Sequence, residues 1–114
     1  MNPISTQNSE HYKWADICDG WHLLKSENLS VIEELVPPGS TETLHYHCRA
    51  EQFFYVLSGQ ATMIINDSRK IIESFSGIYV PKNAKHQLIN ETDQALRFLV
   101  ISTPPSHGDR VDIE

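Results

Sequence analysis

His45-Tyr46-His47 is the part of this sequence whose residue types and spacing point most directly to chemistry. Side chains alternate across an extended strand with a period of two, so His45 and His47 project from the same face. Two imidazole nitrogens can then reach one metal ion without a bend in the backbone. A third imidazole, from another strand facing the same interior, would complete a site suited to a first-row transition metal, and His86 is available for it. An ion held in this way polarises a bound oxygen or activates water.

The elements that must position these residues read as strands. Helical periodicity is scarce, whereas short alternating or β-branched runs recur about every eight to twelve residues with turn signals between them, the pattern of an all-β sandwich or barrel. The expected strands are Trp21–Lys25, Leu29–Val36, Thr43–His47, Gln52–Ser58, Gln60–Ile65, Lys70–Glu73, Gly77–Val80, His86–Asn90 and Ala95–Thr103. Between them stand Pro37-Pro38-Gly39, Ser58-Gly59, Pro81-Lys82-Asn83 and Asn90-Glu91-Thr92-Asp93, and Asn66-Asp67-Ser68 is expected to close a tight hairpin. Residues 1–10 are polar and read as a flexible N-terminal segment, and residues 11–114 as one domain, large enough for a single core.

Composition narrows the partners. A net charge of −6 argues against nucleic-acid binding, which needs basic patches, and favours small neutral or metal-chelating ligands. No apolar run approaches the ~18 residues of a membrane span, so no membrane association is expected. The start, Met1 to Asn8, shows no basic region leading into an apolar stretch, so no secretory signal is expected. Cys18 and Cys48 do not have metal-knuckle spacing and read as reduced thiols of a cytoplasmic protein. Phe53 to Leu57 and Phe98 to Ile101 are apolar on both faces. A barrel interior is filled by one face, so the other needs cover, either from a second copy in a homodimer or from the chain's own terminal strands.

Gly39, five residues, His45-Tyr46-His47, four residues, Gln52, six residues and Gly59 together resemble the first cupin motif. Gly77-Ile78-Tyr79-Val80 leading into Pro81, Asn83, His86 and Asn90 resembles the second. The two occur in order and span the central half of the chain. The resemblance implies a double-stranded β-helix, a jelly-roll barrel, with a metal held by His45, His47, the residue at Gln52, and His86 near one open end. It also implies frequent homodimers. The ion would be a divalent transition metal, Mn, Fe, Ni, Zn or Co. Two departures stand out: glutamine occupies the place of the usual glutamate ligand, and Phe75 and Ser76 replace the glycine and acidic residue that usually open the second motif. Asn83 stands at another usual glycine position, and asparagine tolerates the left-handed backbone better than most residues.

Glu51 and Gln52 are neighbours on a strand, so only one can face the interior. The spacing to Gly59 favours Gln52, in which case Phe54 and Val56 follow it inward while Phe53, Tyr55 and Leu57 face outward. Three neutral imidazoles and a neutral amide leave a divalent charge uncompensated. Such a site binds metal more weakly and favours an anionic ligand. Tyr55 and Tyr79 are weak candidates for a catalytic proton-transfer group, beside Glu42 and His107. The bland readings are that Tyr79 packs at the barrel, Glu42 is solvated, Cys48 is a buried inert thiol, Trp14, Trp21 and Met63 are packing residues, and Ser106 to Arg110 form a solvated tail. The leading expectation is a metal-dependent enzyme on a small anionic or oxygenated molecule, with dioxygenase, decarboxylase, isomerase or lyase chemistry. The alternative is a non-catalytic cupin that binds a sugar or carboxylate. A sugar-phosphate isomerase resemblance ranks behind both, since no phosphate-binding cluster is evident.

Overall fold

The structure, a computed structural model, describes residues 1–113. Among these residues every regular element is a strand: β1 (Glu10–Trp14), β2 (Cys18–Lys25), β3 (Ser30–Val36), β4 (His45–His47), β5 (Glu51–Ser58), β6 (Ala61–Ile65), β7 (Ser68–Ile72), β8 (Gly77–Val80), β9 (His86–Ile89), β10 (Leu96–Thr103) and β11 (Arg110–Asp112). They form two antiparallel sheets, in the orders β1-β2-β3-β10-β5-β8 and β11-β4-β9-β6-β7. No helix is long and apolar enough to cross a membrane.

Alternation builds the core. Phe54 and Val56 on β5, Leu96, Phe98 and Val100 on β10, and Ile32 and Val36 on β3 turn inward from one sheet. Met63 and Leu88 meet them from the other. Burying an aliphatic or aromatic side chain of this kind contributes about 2 kcal/mol, so these rows decide which face of each strand is inside. The hairpin between β6 and β7 closes on Asn66 and Asp67, with φ of 46° and 69° and Ile65 paired to Ser68. Positive φ at both central residues defines the mirror-image turn that suits twisted strands.

The expected strands are all present, their ends shifted by no more than three residues. β1 and β11 were not expected. Glu10-His11-Tyr12-Lys13-Trp14 carries charge at the sheet edge and Arg110-Val111-Asp112 is exposed throughout, so neither shows the apolar alternation that marks a half-buried strand. β1 begins inside the segment read as flexible, and residues 5–8 before it close a turn in which the Asn8 N–H donates to the Ser5 carbonyl at 3.2 Å.

β1 and β11 pair at the edges of their sheets, and on the outward face of β5 Tyr55 and Leu57 are half-buried while Phe53 stays exposed. Phe53 and Tyr79 face each other across the β5–β8 ladder and remain 40% and 53% exposed. Tyr79 therefore does not pack into the barrel, as its place before Pro81 suggested. Cys48 is also exposed rather than buried, because it lies in the turn after β4, whereas Cys18 is enclosed.

Candidate metal centre

β4 turns His45 and His47 into the interior and leaves Tyr46 on the other face. β9 lies beside β4, and His86 is the direct ladder partner of His45. The ring centroids stand 4.3 Å apart for His45 and His86, 5.1 Å for His45 and His47, and 5.7 Å for His47 and His86. One nitrogen from each ring lies within 4.8 Å of the others, so the three histidines could hold a metal ion.

Local backbone orients the rings. His45 Nδ1 donates to the Thr43 carbonyl at 2.7 Å, and His86 Nδ1 donates to the Ala84 carbonyl at 2.9 Å. A carbonyl only accepts, so each bond fixes the proton on Nδ1 and leaves Nε2 a bare lone pair. The second-motif turn is tied to β4 directly: the Asn83 N–H donates to the His47 carbonyl at 2.7 Å, and Asn83 holds φ 68°, as its glycine-like position required. Burial pushes His45 down to about 3 and His47 down to about 4, and it lowers His86 as well. All three are therefore neutral near pH 7, the form that ligates.

Gln52 is buried beside them and Glu51 is exposed, with Phe54 and Val56 inward and Phe53 outward, which is the parity expected. Gln52 Nε2 donates to the Ser102 hydroxyl at 3.0 Å. Gln52 Oε1, His47 Nδ1 and His86 Nε2 are buried without hydrogen-bond partners. Buried polar atoms are rarely left unpaired. Gln52 Oε1 and, with its Nδ1 proton given to Ala84, His86 Nε2 are acceptors. Beside the clustered rings of His45 and His47 they supply the donor chemistry of a divalent transition ion, so these residues fit the metal that the sequence implied.

A cavity of about 260 Å³ opens beside His45, His47 and Gln52. The sequence placed neither Glu34 nor Tyr12 there, and it read Glu42 as solvated. Instead both carboxyls are half-buried in the cavity wall. Glu42 accepts the Leu88 N–H at 3.0 Å and is raised to about 7 by burial. Glu34 is raised to about 8 by burial and by Glu42, and it accepts a hydrogen bond from the Tyr12 hydroxyl at 3.2 Å. A signal for Glu34 was present in the alternation Ile32, Glu34, Val36, which points a carboxyl inward. Tyr12 could not be read, because its edge strand lacks a pattern.

The segment from Ser106 to Arg110 is not a free tail. Ser106, His107, Gly108 and Arg110 line the cavity, and β11 pairs with β4, setting Arg110 opposite His47. Buried Asp109 accepts the N–H groups of Arg49 and Ala50, both at 2.9 Å. Burial opposes its charge, but the Ala50 and Arg49 N–H groups outweigh that and hold its carboxyl below the ordinary value. Tyr55 and Tyr79 lie on outward-facing positions and do not line the cavity. Trp14 lines the cavity and Trp21 lies under the Arg97 guanidinium at 5.4 Å, while Met63 is fully enclosed.

Among curated proteins, the chain is 31% identical over 94 residues to an uncharacterized protein of Methanocaldococcus jannaschii, covering 82% of this chain and 75% of that one. Among solved structures, the polyketide cyclase RemF of Streptomyces resistomycificus superposes with a TM-score of 0.86 at 17% identity, over 100% of this chain and 86% of that one. Pac13, described as a unique nucleoside dehydratase, superposes with a TM-score of 0.83 at 16% identity, over 100% of this chain and 92% of that one. At such identities the two superpositions show a shared fold, a double-stranded β-helix. The family model described as "Cupin domain" matches residues 32–102, from β3 through most of β10, and with both histidine motifs inside that span the chain belongs to the cupin family.

Proposed function

We propose that this cupin is a metal-dependent enzyme acting on a small oxygenated molecule, with His45, His47, His86 and Gln52 holding one divalent transition ion. The observation that carries the reading is the cluster of three buried imidazoles with a nitrogen of each within 4.8 Å of the others, joined by the unpartnered acceptors His86 Nε2 and Gln52 Oε1. When bound, the ion would supply Lewis-acid polarisation of a substrate oxygen.

The chain's own residues supply the rest. Phe54, Ile32 and Val100 make the apolar part of the cavity wall and restrict bulk water there. Burial raises Glu34 to about 8 and Glu42 to about 7, so near neutral pH Glu34 holds its proton and Glu42 is divided between acid and carboxylate. The pair can give a proton to an oxygen of the bound molecule or take one from it. Acid–base groups beside the metal position favour an enzyme over a binding module. They also favour isomerase or lyase chemistry over oxidation, in keeping with the cyclase and dehydratase that share the fold.

Metal analysis of protein purified without added ions tests this. About one ion per chain is expected, lost in His45→Ala and His86→Ala. Nickel, zinc or cobalt would support isomerase or lyase chemistry, and iron or manganese would redirect the reading to oxidative or decarboxylating chemistry. Unchanged metal content in both variants would sink the site, and a wild type without metal would favour the non-catalytic alternative.

The reading includes a cytoplasmic homodimer in which a second copy covers Phe53 and Tyr79 on the outer face. Phe53→Glu is expected to convert a dimer to a monomer in sedimentation. A wild type that sediments as a monomer removes the dimer.

A further inference from the structure

Glu34 is out of place for a residue selected for stability alone. It takes an inward position on β3 between Ile32 and Val36, where an apolar side chain would pack without losing hydration. No ion pair among the described residues includes Glu34 or Glu42. The Tyr12 hydroxyl is the side-chain donor that reaches Glu34.

That bond is built from three strands. Tyr12, Gly20 and Glu34 are register partners across β1, β2 and β3. A Cβ on Gly20 would lie 2.3 Å from Tyr12 Cζ and 2.6 Å from the hydroxyl oxygen. The ring therefore crosses directly over the middle strand to meet a carboxyl two strands away. Glycine weakens a strand interior, and here it clears the path for that crossing. A residue that breaks local preference together with two others, all serving one polar contact on a cavity wall, points to ligand recognition.

The charges on the wall limit the ligand. The arginine in the lining, Arg110, is engaged: Nε donates to Asp112 Oδ1 at 2.6 Å and Nη2 to the Thr43 carbonyl at 3.4 Å. No lysine lines the cavity. With Arg110 engaged, the wall offers no free cation to compensate a phosphate or carboxylate, whereas carboxyls accept hydroxyl hydrogens and in their acid form also donate them. The Tyr12 ring, Trp14 and Phe54 offer apolar faces for the C–H face of a sugar ring. The volume, about 260 Å³, lies at the small end of ligand pockets.

We propose that Tyr12, Glu34 and Glu42 form a ligand-orienting wall that selects a neutral, hydroxyl-rich molecule of monosaccharide size over its phosphorylated or carboxylated counterparts. This deepens the function proposed above and rests on the cavity's being its substrate site. The selection follows from the wall, whereas ligation follows from the histidines, so the two fail separately.

Calorimetric titration with D-xylose, D-glucose, D-glucose 6-phosphate and D-glucuronate decides it, on metal-loaded and metal-stripped protein. A neutral sugar is expected to bind at millimolar or lower concentration, with both charged counterparts of glucose about tenfold weaker or worse. The double variant Tyr12→Phe with Glu34→Leu removes both polar groups without orphaning either. It is expected to lose about tenfold in neutral-sugar affinity, to keep its metal content, and to melt at or above the wild-type temperature. A purely structural pair would instead lower the melting temperature. Tighter binding of a charged counterpart, no binding of either neutral sugar, or undiminished sugar affinity in the double variant overturns the proposal. Absence of metal with the neutral preference intact counts against the metal centre alone.

Discussion

His45 and His86 are direct partners across the β4–β9 ladder, with ring centroids 4.3 Å apart. Two motifs distant in sequence thus become one site through a single antiparallel pairing, and both rings are anchored by carbonyls of their own strand entries, Thr43 and Ala84. A site carried on paired strands holds its ligands more firmly than one carried on loops. The Asn83 N–H bond to the His47 carbonyl braces the same junction.

Gln52→Glu is expected to raise metal affinity by about tenfold or more, because an anionic oxygen replaces a neutral one beside a divalent charge. A small anion that ligates the ion directly, such as azide, is expected to bind more weakly in the same variant, an effect separate from the sugar selection by the Tyr12, Glu34 and Glu42 wall. Calorimetry of wild type and variant with the same metal reads both effects, and unchanged affinities would take Gln52 out of the ligand set.

The stabilising effect of the Tyr12→Phe, Glu34→Leu double variant is expected to depend on pH. The folded-state carboxyl of Glu34 is raised from an ordinary 4.5 to about 8. Below pH 4.5 the group is protonated whether folded or unfolded and costs the fold nothing in charge. As pH rises from 4.5 towards 8, ionisation favours the unfolded chain, so the native protein loses stability through that window. Denaturant melts at pH 4 and pH 8 should show the variant's advantage growing with pH. An equal advantage at both would mean that Glu34 is not held protonated.

Asp109→Ala is expected to destabilise the fold by about 2 kcal/mol, since it strips the acceptor from the Arg49 and Ala50 N–H groups in the turn that follows His47. Asp109→Asn, which keeps one acceptor oxygen, should lose less. Urea melts of both variants order the effects. Equal stability of all three proteins would show that the turn does not depend on the C-terminal segment.

Phe75→Gly is expected to stabilise the protein by about 1 kcal/mol. Phe75 holds φ 64°, a conformation that costs a residue with a Cβ about 1–2 kcal/mol, and its side chain is 74% exposed, so little packing is lost. Part of that gain is offset by the greater freedom of glycine in the unfolded chain. Thermal melts decide the sign, and a lowered melting temperature would reveal a role for the exposed ring.

Much of this molecule follows from rules that act over a few residues. The period of two places His45 with His47 and turns Gln52 inward while Glu51 faces solvent. Turn chemistry fixes the Asn66-Asp67 hairpin and the left-handed Asn83. Such features need no knowledge of the rest of the chain, and together they outline the strands and the three histidines.

What the tertiary structure alone decided are the pairings and surfaces that join distant segments. Edge strands β1 and β11 have no buried face to impose a pattern, so their partners and the seating of Tyr12 over Gly20 emerge only once β2 and β4 are in place. Whether Glu42 and Asp109 meet water or buried N–H groups depends on Leu88, Arg49 and Ala50, which are far away in sequence. The exposure of Cys48 likewise follows from where the turn after β4 lies. The histidine cluster was legible because alternation is local. The carboxyl-bearing wall that faces the same cavity was not, because three strands and the C-terminal segment assemble it from residues whose chemistry depends on what folding brings beside them.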